Sequence, residues 1–151
     1  MKTINVNIKS EQEMIELGYK IGQIAYPNMV LAMNGNLGAG KTTLTKGIGQ
    51  ALGIKRVINS PTFTIMKIYE GTMNLYHLDV YRISNSSEDF DLEEYFYLGG
   101  ISVIEWADNI SDLLPTDAIY LEYKIEEDTS RTITFKGADT FIDKLVQKLG
   151  E

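Results

Sequence analysis

Residues 33–49 read MNGNLGAGKTTLTKGIG, and this stretch limits the fold more than any other in the chain. Gly35 to Thr42 spells glycine, four residues, then Gly-Lys-Thr. Ahead of it stands MVLAM, an unbroken apolar run of the kind expected of a central parallel strand covered on both faces. Behind it Leu44, Ile48 and Leu52 repeat at helical spacing until Gly53, which stops the helix. Between a strand and a helix, such a loop can curl successive backbone N–H groups toward phosphate oxygens, and the helix N-terminus adds partial positive charge. The pattern predicts a phosphate cradle formed by Gly35, Asn36, Leu37, Gly38, Ala39, Gly40, Lys41, Thr42 and Thr43. In it Lys41 spans the β- and γ-phosphates and the Thr42 hydroxyl ligates magnesium.

The remaining segments alternate strand and helix signals. TINVNI alternates like a half-buried strand, and Ser10 with Glu13 three residues on forms a capping box. The helix that follows places Met14, Leu17, Ile21 and Ile24 on one face. TIMKIY and NLYHLDVYR flank EGTM as a β-hairpin. SNSS reads as a loop before a short acidic helix, GGISVIEW as a second apolar strand, and DAIYLEYKI with RTITFKG as a late antiparallel pair. Phe141, Ile142, Leu145, Val146 and Leu149 mark a closing helix. With no repeat or linker, the expectation is one α/β domain over residues 1–151, of P-loop NTPase type. It has a mostly parallel central sheet, helices on both faces, an antiparallel hairpin and late antiparallel strands.

A P-loop also needs a magnesium-side carboxylate at the tip of a neighbouring apolar strand. ISVIEW supplies Glu105, followed directly by Trp106, the only tryptophan; its place is either the core or the nucleotide. In LYHLDVYR the period of two puts Leu75, His77, Asp79 and Tyr81 on one face. That face is either the solvated side of an edge hairpin or one that looks at the phosphates, and in the second case Asp79 acts on the attacking water or on a magnesium water. NSPTFT lies where P-loop switch proteins place a γ-phosphate-sensing threonine, which makes Thr62 the candidate and Ser60 a weaker one.

Composition removes several classes. The chain has no cysteine and one histidine, which excludes disulfides, thiolate metal sites and histidine-rich zinc sites. A net charge of −7 with three arginines, Arg56, Arg82 and Arg131, provides no basic patch for direct nucleic-acid binding. The N-terminus has no hydrophobic signal core and no run of about 18 apolar residues occurs, so a cytoplasmic protein without a membrane anchor is expected. Three arginines leave little for the lid of a small-molecule kinase. No Asn-Lys-x-Asp stretch is present to read guanine. A nucleotide-binding module with little turnover stays open as an alternative.

In order and separation, GNLGAGKTT, SPTFT, HLDVYR, EEYF and IEW resemble the TsaE family, the ATPase component of bacterial tRNA threonylcarbamoyladenosine synthesis. The resemblance covers about Val30 to Arg131. It implies a Mg-dependent ATPase, binding ATP and ADP, that acts with the TsaB and TsaD proteins and reaches tRNA only indirectly. ATP hydrolysis then resets the complex between cycles. Carried over by position, Lys41 and Thr42 bind phosphate and magnesium, Thr62 is the switch threonine, Asp79 is the acid of the HxDxYR stretch, and Glu105 is the second magnesium-side carboxylate. Many members have an acidic residue where Asn36 stands, so a charge there is not needed for phosphate binding. The acidic stretch EDFDLEEYF is either a solvated helix face or a surface for a basic partner.

Overall fold

A computed structural model describes residues 1–35, 40–61, 65–81 and 92–151. The elements run β1 (Lys2–Ile8), α1 (Glu11–Gln23), β2 (Val30–Asn34), α2 (Lys41–Ala51), β3 (Met66–Tyr69), β4 (Leu75–Asp79), β5 (Ile101–Glu105), β6 (Ile119–Ile125), β7 (Arg131–Gly137) and α3 (Asp139–Leu149). Two 3₁₀ helices, Leu92–Tyr97 and Ala107–Leu113, flank β5.

All seven strands form one sheet in the order β1-β7-β6-β2-β5-β4-β3. The ladders β6–β2, β2–β5 and β5–β4 are parallel and occupy the centre. The ladders β1–β7, β7–β6 and β4–β3 are antiparallel. The sheet is therefore evenly mixed, with its parallel part confined to four strands. The parallel strands β2 and β5 are the two unbroken apolar runs, and each is buried along its whole length. The late pair β6–β7 and the hairpin β3–β4 form as expected, whereas the antiparallel pairing of β1 onto β7 joins the two ends of the chain.

The three α-helices do not divide between the two faces. Met14, Leu17 and Ile21 of α1, Leu44 and Ile48 of α2, and Phe141, Ile142 and Leu145 of α3 belong to one core with Leu31, Met33, Val103, Leu121, Ile133 and Phe135. The opposite face, with Val30, Ala32, Tyr76, Leu78 and Ile104, is covered by the 3₁₀ segments through Leu92, Phe96, Ala107 and Ile110. In each of these connections a 3₁₀ segment of six or seven residues presents enough apolar surface to cover part of a strand. Val146, expected inside, is half exposed. β4 is no edge strand either: it lies between β5 and β3, and Leu75, Tyr76, His77 and Leu78 are all buried.

Local signals explain why α1 begins and α2 ends where they do. Ser10 is extended at φ −149° and its hydroxyl accepts from the Glu13 N–H at 3.1 Å. The Glu13 carboxylate reaches back to the Lys9 N–H at 3.2 Å, closing the box one residue early. Ser10→Ala should cost about 1 kcal/mol, with Ser10→Thr close to wild type. Urea denaturation reads this, and an unchanged midpoint for the alanine variant would remove the cap from the account. At the other end Gly53 takes φ +73° just beyond α2.

At Gly18 and Gly47 the backbones of α1 and α2 meet without side chains between them. A Cβ on Gly18 would lie 2.1 Å from the Leu44 carbonyl oxygen, and one on Gly47 would lie 2.1 Å from that of Ile15. Only glycine fits at such an approach. The contact fixes α2, and with it Lys41 and Thr42, against the rest of the fold.

Candidate functional site

The carboxyl ends of β2, β5 and β4 are level. Met33 pairs with Glu105 and Glu105 with Asp79, so Asn34, Glu105 and Asp79 finish side by side. β5 lies between β2 and β4, while β6 lies on the far side of β2. Ligands of open α/β sheets bind where neighbouring strands diverge in this way.

The glycine loop starts and ends here on strained backbone. Gly35 has φ +145° and Gly40 φ +102°. A Cβ on Gly35 would strike the Cβ of Tyr123 at 2.6 Å, and one on Gly40 the Met14 methyl at 2.8 Å. Gly35 therefore needs glycine for space as well as for φ, whereas Gly40 needs it for φ, since the Met14 methyl can move aside. Gly40 caps α2, and its carbonyl accepts the Leu44 N–H at 2.9 Å. Asn36, Leu37, Gly38 and Ala39 lie outside the described residues, as does Thr62.

Lys41, the first residue of α2, is 4% exposed. Its ammonium donates to the Gly35 carbonyl at 2.7 Å and stands 4.2 Å from the centre of the Trp106 ring. Among the described residues it makes no ion pair. Burial pulls the ammonium below the usual lysine range, against the fields of Glu105 and Asp79, which pull it up. Trp106 reaches this position through a left-handed backbone, φ 62° and ψ 40°, and its other neighbour is the exposed Tyr81 ring at 4.8 Å. The lone tryptophan therefore packs on the core and also presents its face to the Lys41 ammonium.

Thr42 donates its hydroxyl to Glu105 Oε2 at 3.3 Å, so the two expected magnesium-side groups are in contact. Asp79, opposite Glu105, accepts the Tyr81 N–H at 3.0 Å. Thr43, with Gly40, Ser10, Met14, Thr129 and Arg131, lines a cavity of about 410 Å³ beside the start of α2.

Two buried polar groups near the site were missed in the sequence. His77 Nε2 is 2.5 Å from Glu105 Oε2, and its ring is fully buried. The signal was the shared phase of His77 and Asp79, but the neighbouring strand cannot be read from it. Tyr123, under Gly35, buries a hydroxyl without a partner among the described residues. Burial pushes that hydroxyl well above its ordinary pKa, and the negative field of Glu105 adds to the effect. A third group, Asn34, accepts the Asp108 N–H at 3.0 Å and donates to the Asp108 carboxylate, tying the end of β2 to the segment after Trp106.

The family model described as "Threonylcarbamoyl adenosine biosynthesis protein TsaE" matches residues 8–133. The chain belongs to the TsaE family. The "tRNA threonylcarbamoyladenosine biosynthesis protein TsaE" of Bacillus subtilis is 41% identical over 150 residues, covering 99% of this chain and 95% of that one. The protein of the same description from Treponema pallidum is 36% identical over 128 residues, covering 83% and 95%. The crystal structure of Bacillus subtilis YdiB superposes with a TM-score of 0.84 at 35% identity, covering 99% of this chain and 95% of that one. Every site residue named above lies inside the stretch matched to TsaE.

The donor set of this TsaE chain suits one kind of ligand. A buried ammonium without a carboxylate partner is costly unless an anion answers it. Among the described residues no three His, Cys, Asp or Glu groups come together as a metal cage. One carboxylate and one hydroxyl, Glu105 and Thr42, suit a hard cation that takes its other oxygens from water and from a phosphate ligand, which is how magnesium is usually held.

Proposed function

We propose that this chain is a magnesium-dependent ATPase with a P-loop NTPase domain spanning residues 1–151, working in tRNA threonylcarbamoyladenosine biosynthesis. The observation that carries the reading is the buried Lys41 ammonium, whose neighbours are the Gly35 carbonyl and the Trp106 face, at the joint ends of β2, β5 and β4. Lys41 holds β- and γ-phosphate oxygens of ATP, together with the backbone from Gly35 to Thr43. Thr42 and Glu105 hold magnesium, which when bound neutralises charge on the phosphates. Asp79, beside Glu105, orients the attacking water, and Thr62 senses the γ-phosphate. The cavity beside Thr43 is large enough for the nucleoside end of the ligand.

The pathway reading rests on family membership. TsaB and TsaD proteins are the partners, the cytoplasm is the working place, and ATP hydrolysis resets the assembly between cycles. tRNA is reached through the partners, because a chain of net charge −7 gains little from releasing counterions. No helix among the described residues is long and apolar enough to cross a membrane.

Phosphate release should favour ATP over GTP and rise when TsaB and TsaD proteins are added. Multiple-turnover formation of threonylcarbamoyladenosine should need this chain, and the isolated chain should barely retard tRNA at physiological salt. Full modification in its absence from an otherwise complete reconstitution, or tight tRNA binding by the chain alone, would overturn the reading.

A further inference from the structure

His77 is the only histidine of the chain, and the proposed mechanism leaves it unused. It stands in the middle of β4, fully buried. The register places His77 beside Val103 and Asp79 beside Glu105, so the His77–Glu105 contact runs diagonally between neighbouring strands on one face. Nε2 lies 2.5 Å from Oε2, the same oxygen that the Thr42 hydroxyl reaches at 3.3 Å. Glu105 Oε1 takes no hydrogen bond among the described residues. Nδ1 of His77 is buried with no partner among them either.

For packing alone, leucine or phenylalanine would fill this position without an unpaired nitrogen. The one polar contact that offsets burial of the ring is the bond to Glu105. A carboxylate accepts without donating, so a hydrogen bond between the ring and a Glu105 carboxylate requires the Nε2–H tautomer. We propose that His77 is a positioning residue whose Nε2–H, donated to Oε2, fixes the Glu105 carboxylate against Thr42 and leaves Oε1 free. The first part needs only the metal-free protein. The consequence, that Oε1 is thereby offered to magnesium, rests on the function proposed above. Hydrogen-bonded partners of ligating carboxylates commonly govern metal affinity in this way.

Two variants and two readouts test it. His77→Leu keeps bulk without a donor, and His77→Gln carries an amide N–H that can reach the place of Nε2. With one histidine, the imidazole ¹⁵N spectrum of the metal-free protein should show a single ring protonated at Nε2, shifted in Glu105→Gln. ADP affinity measured by calorimetry in EDTA should stay within about twofold in both variants. The extra affinity gained with magnesium should fall on the order of tenfold or more in His77→Leu and be largely restored in His77→Gln. A ring protonated only at Nδ1, a full magnesium gain in His77→Leu, or a glutamine variant as impaired as the leucine one overturns the proposal. Should His77→Leu fail to fold, the spectrum and the glutamine variant decide. If the wild-type protein gains nothing from magnesium, the metal reading of the site fails, while the spectrum still decides whether His77 holds Glu105.

Discussion

Glu105→Ala is expected to lower ATP hydrolysis by roughly 10² or more while leaving ADP bound in EDTA. The carboxylate contributes nothing directly to an anionic ligand, since its own charge repels phosphate. On the function proposed above its use is on the cation side, and its Oε2 contacts Thr42 and His77. Removal should therefore separate binding from turnover, which a fold defect would not do. Asp79→Ala should behave in the same way, because Asp79 ends β4 directly opposite Glu105 and takes no part in the bonds that hold Lys41. Single-turnover phosphate release alongside calorimetry with ADP makes the comparison. Normal hydrolysis in both variants would show that the wrong strand ends had been assigned to the chemistry.

Lys41→Ala should weaken ATP binding by on the order of 1.5–3 kcal/mol, about ten- to a hundredfold in Kd, the usual worth of a hydrogen bond to a charged group. Burial adds a second, independent expectation. Lys41 is 4% exposed and its ammonium meets one carbonyl and one aromatic face, with no ion pair among the described residues, so the folded protein without nucleotide carries an incompletely compensated charge. Replacement should then leave stability unchanged or raise it slightly, even as affinity collapses. Calorimetry with ATP and a urea titration on the same sample read both quantities. An unaltered Kd would remove Lys41 from the phosphate site.

What could be read from the sequence follows a simple physical division. Features set by neighbours along the chain were visible: the Ser10 cap, the stop at Gly53, the unbroken apolar runs of β2 and β5, and the hairpin joining β3 to β4. So was Glu105 at the tip of an apolar strand, although its contact with Thr42 was not. Features set by lateral strand order were not. Alternation along LYHLD is consistent with a solvated edge, and only the placement of β4 between β5 and β3 buries both its faces and brings His77 to Glu105. The union of β1 with β7 is hidden for the same reason, since their pairing spans nearly the whole chain. The expected loop residues Asn36 to Ala39 and the threonine Thr62 lie outside the described residues. The bare backbone approach of Gly18 and Gly47 was concealed differently, because a glycine inside a helix looks like a weak helix residue until its neighbour is known.

That approach makes one stiff plate of two helices. Where Gly18 and Gly47 bring the two backbones together there is no side chain to slide or change rotamer, so a shift of α2 should carry α1 along, together with Met14 against Gly40 and the turn at Ser10. Lys41 and Thr42 stand at the near rim of this plate, and the exposed Tyr19 belongs to the same body. A ligand that tugs on the loop end is therefore not stretching one helix but tilting a two-helix lever, and a partner resting on the outer side of α1 would press on the other arm.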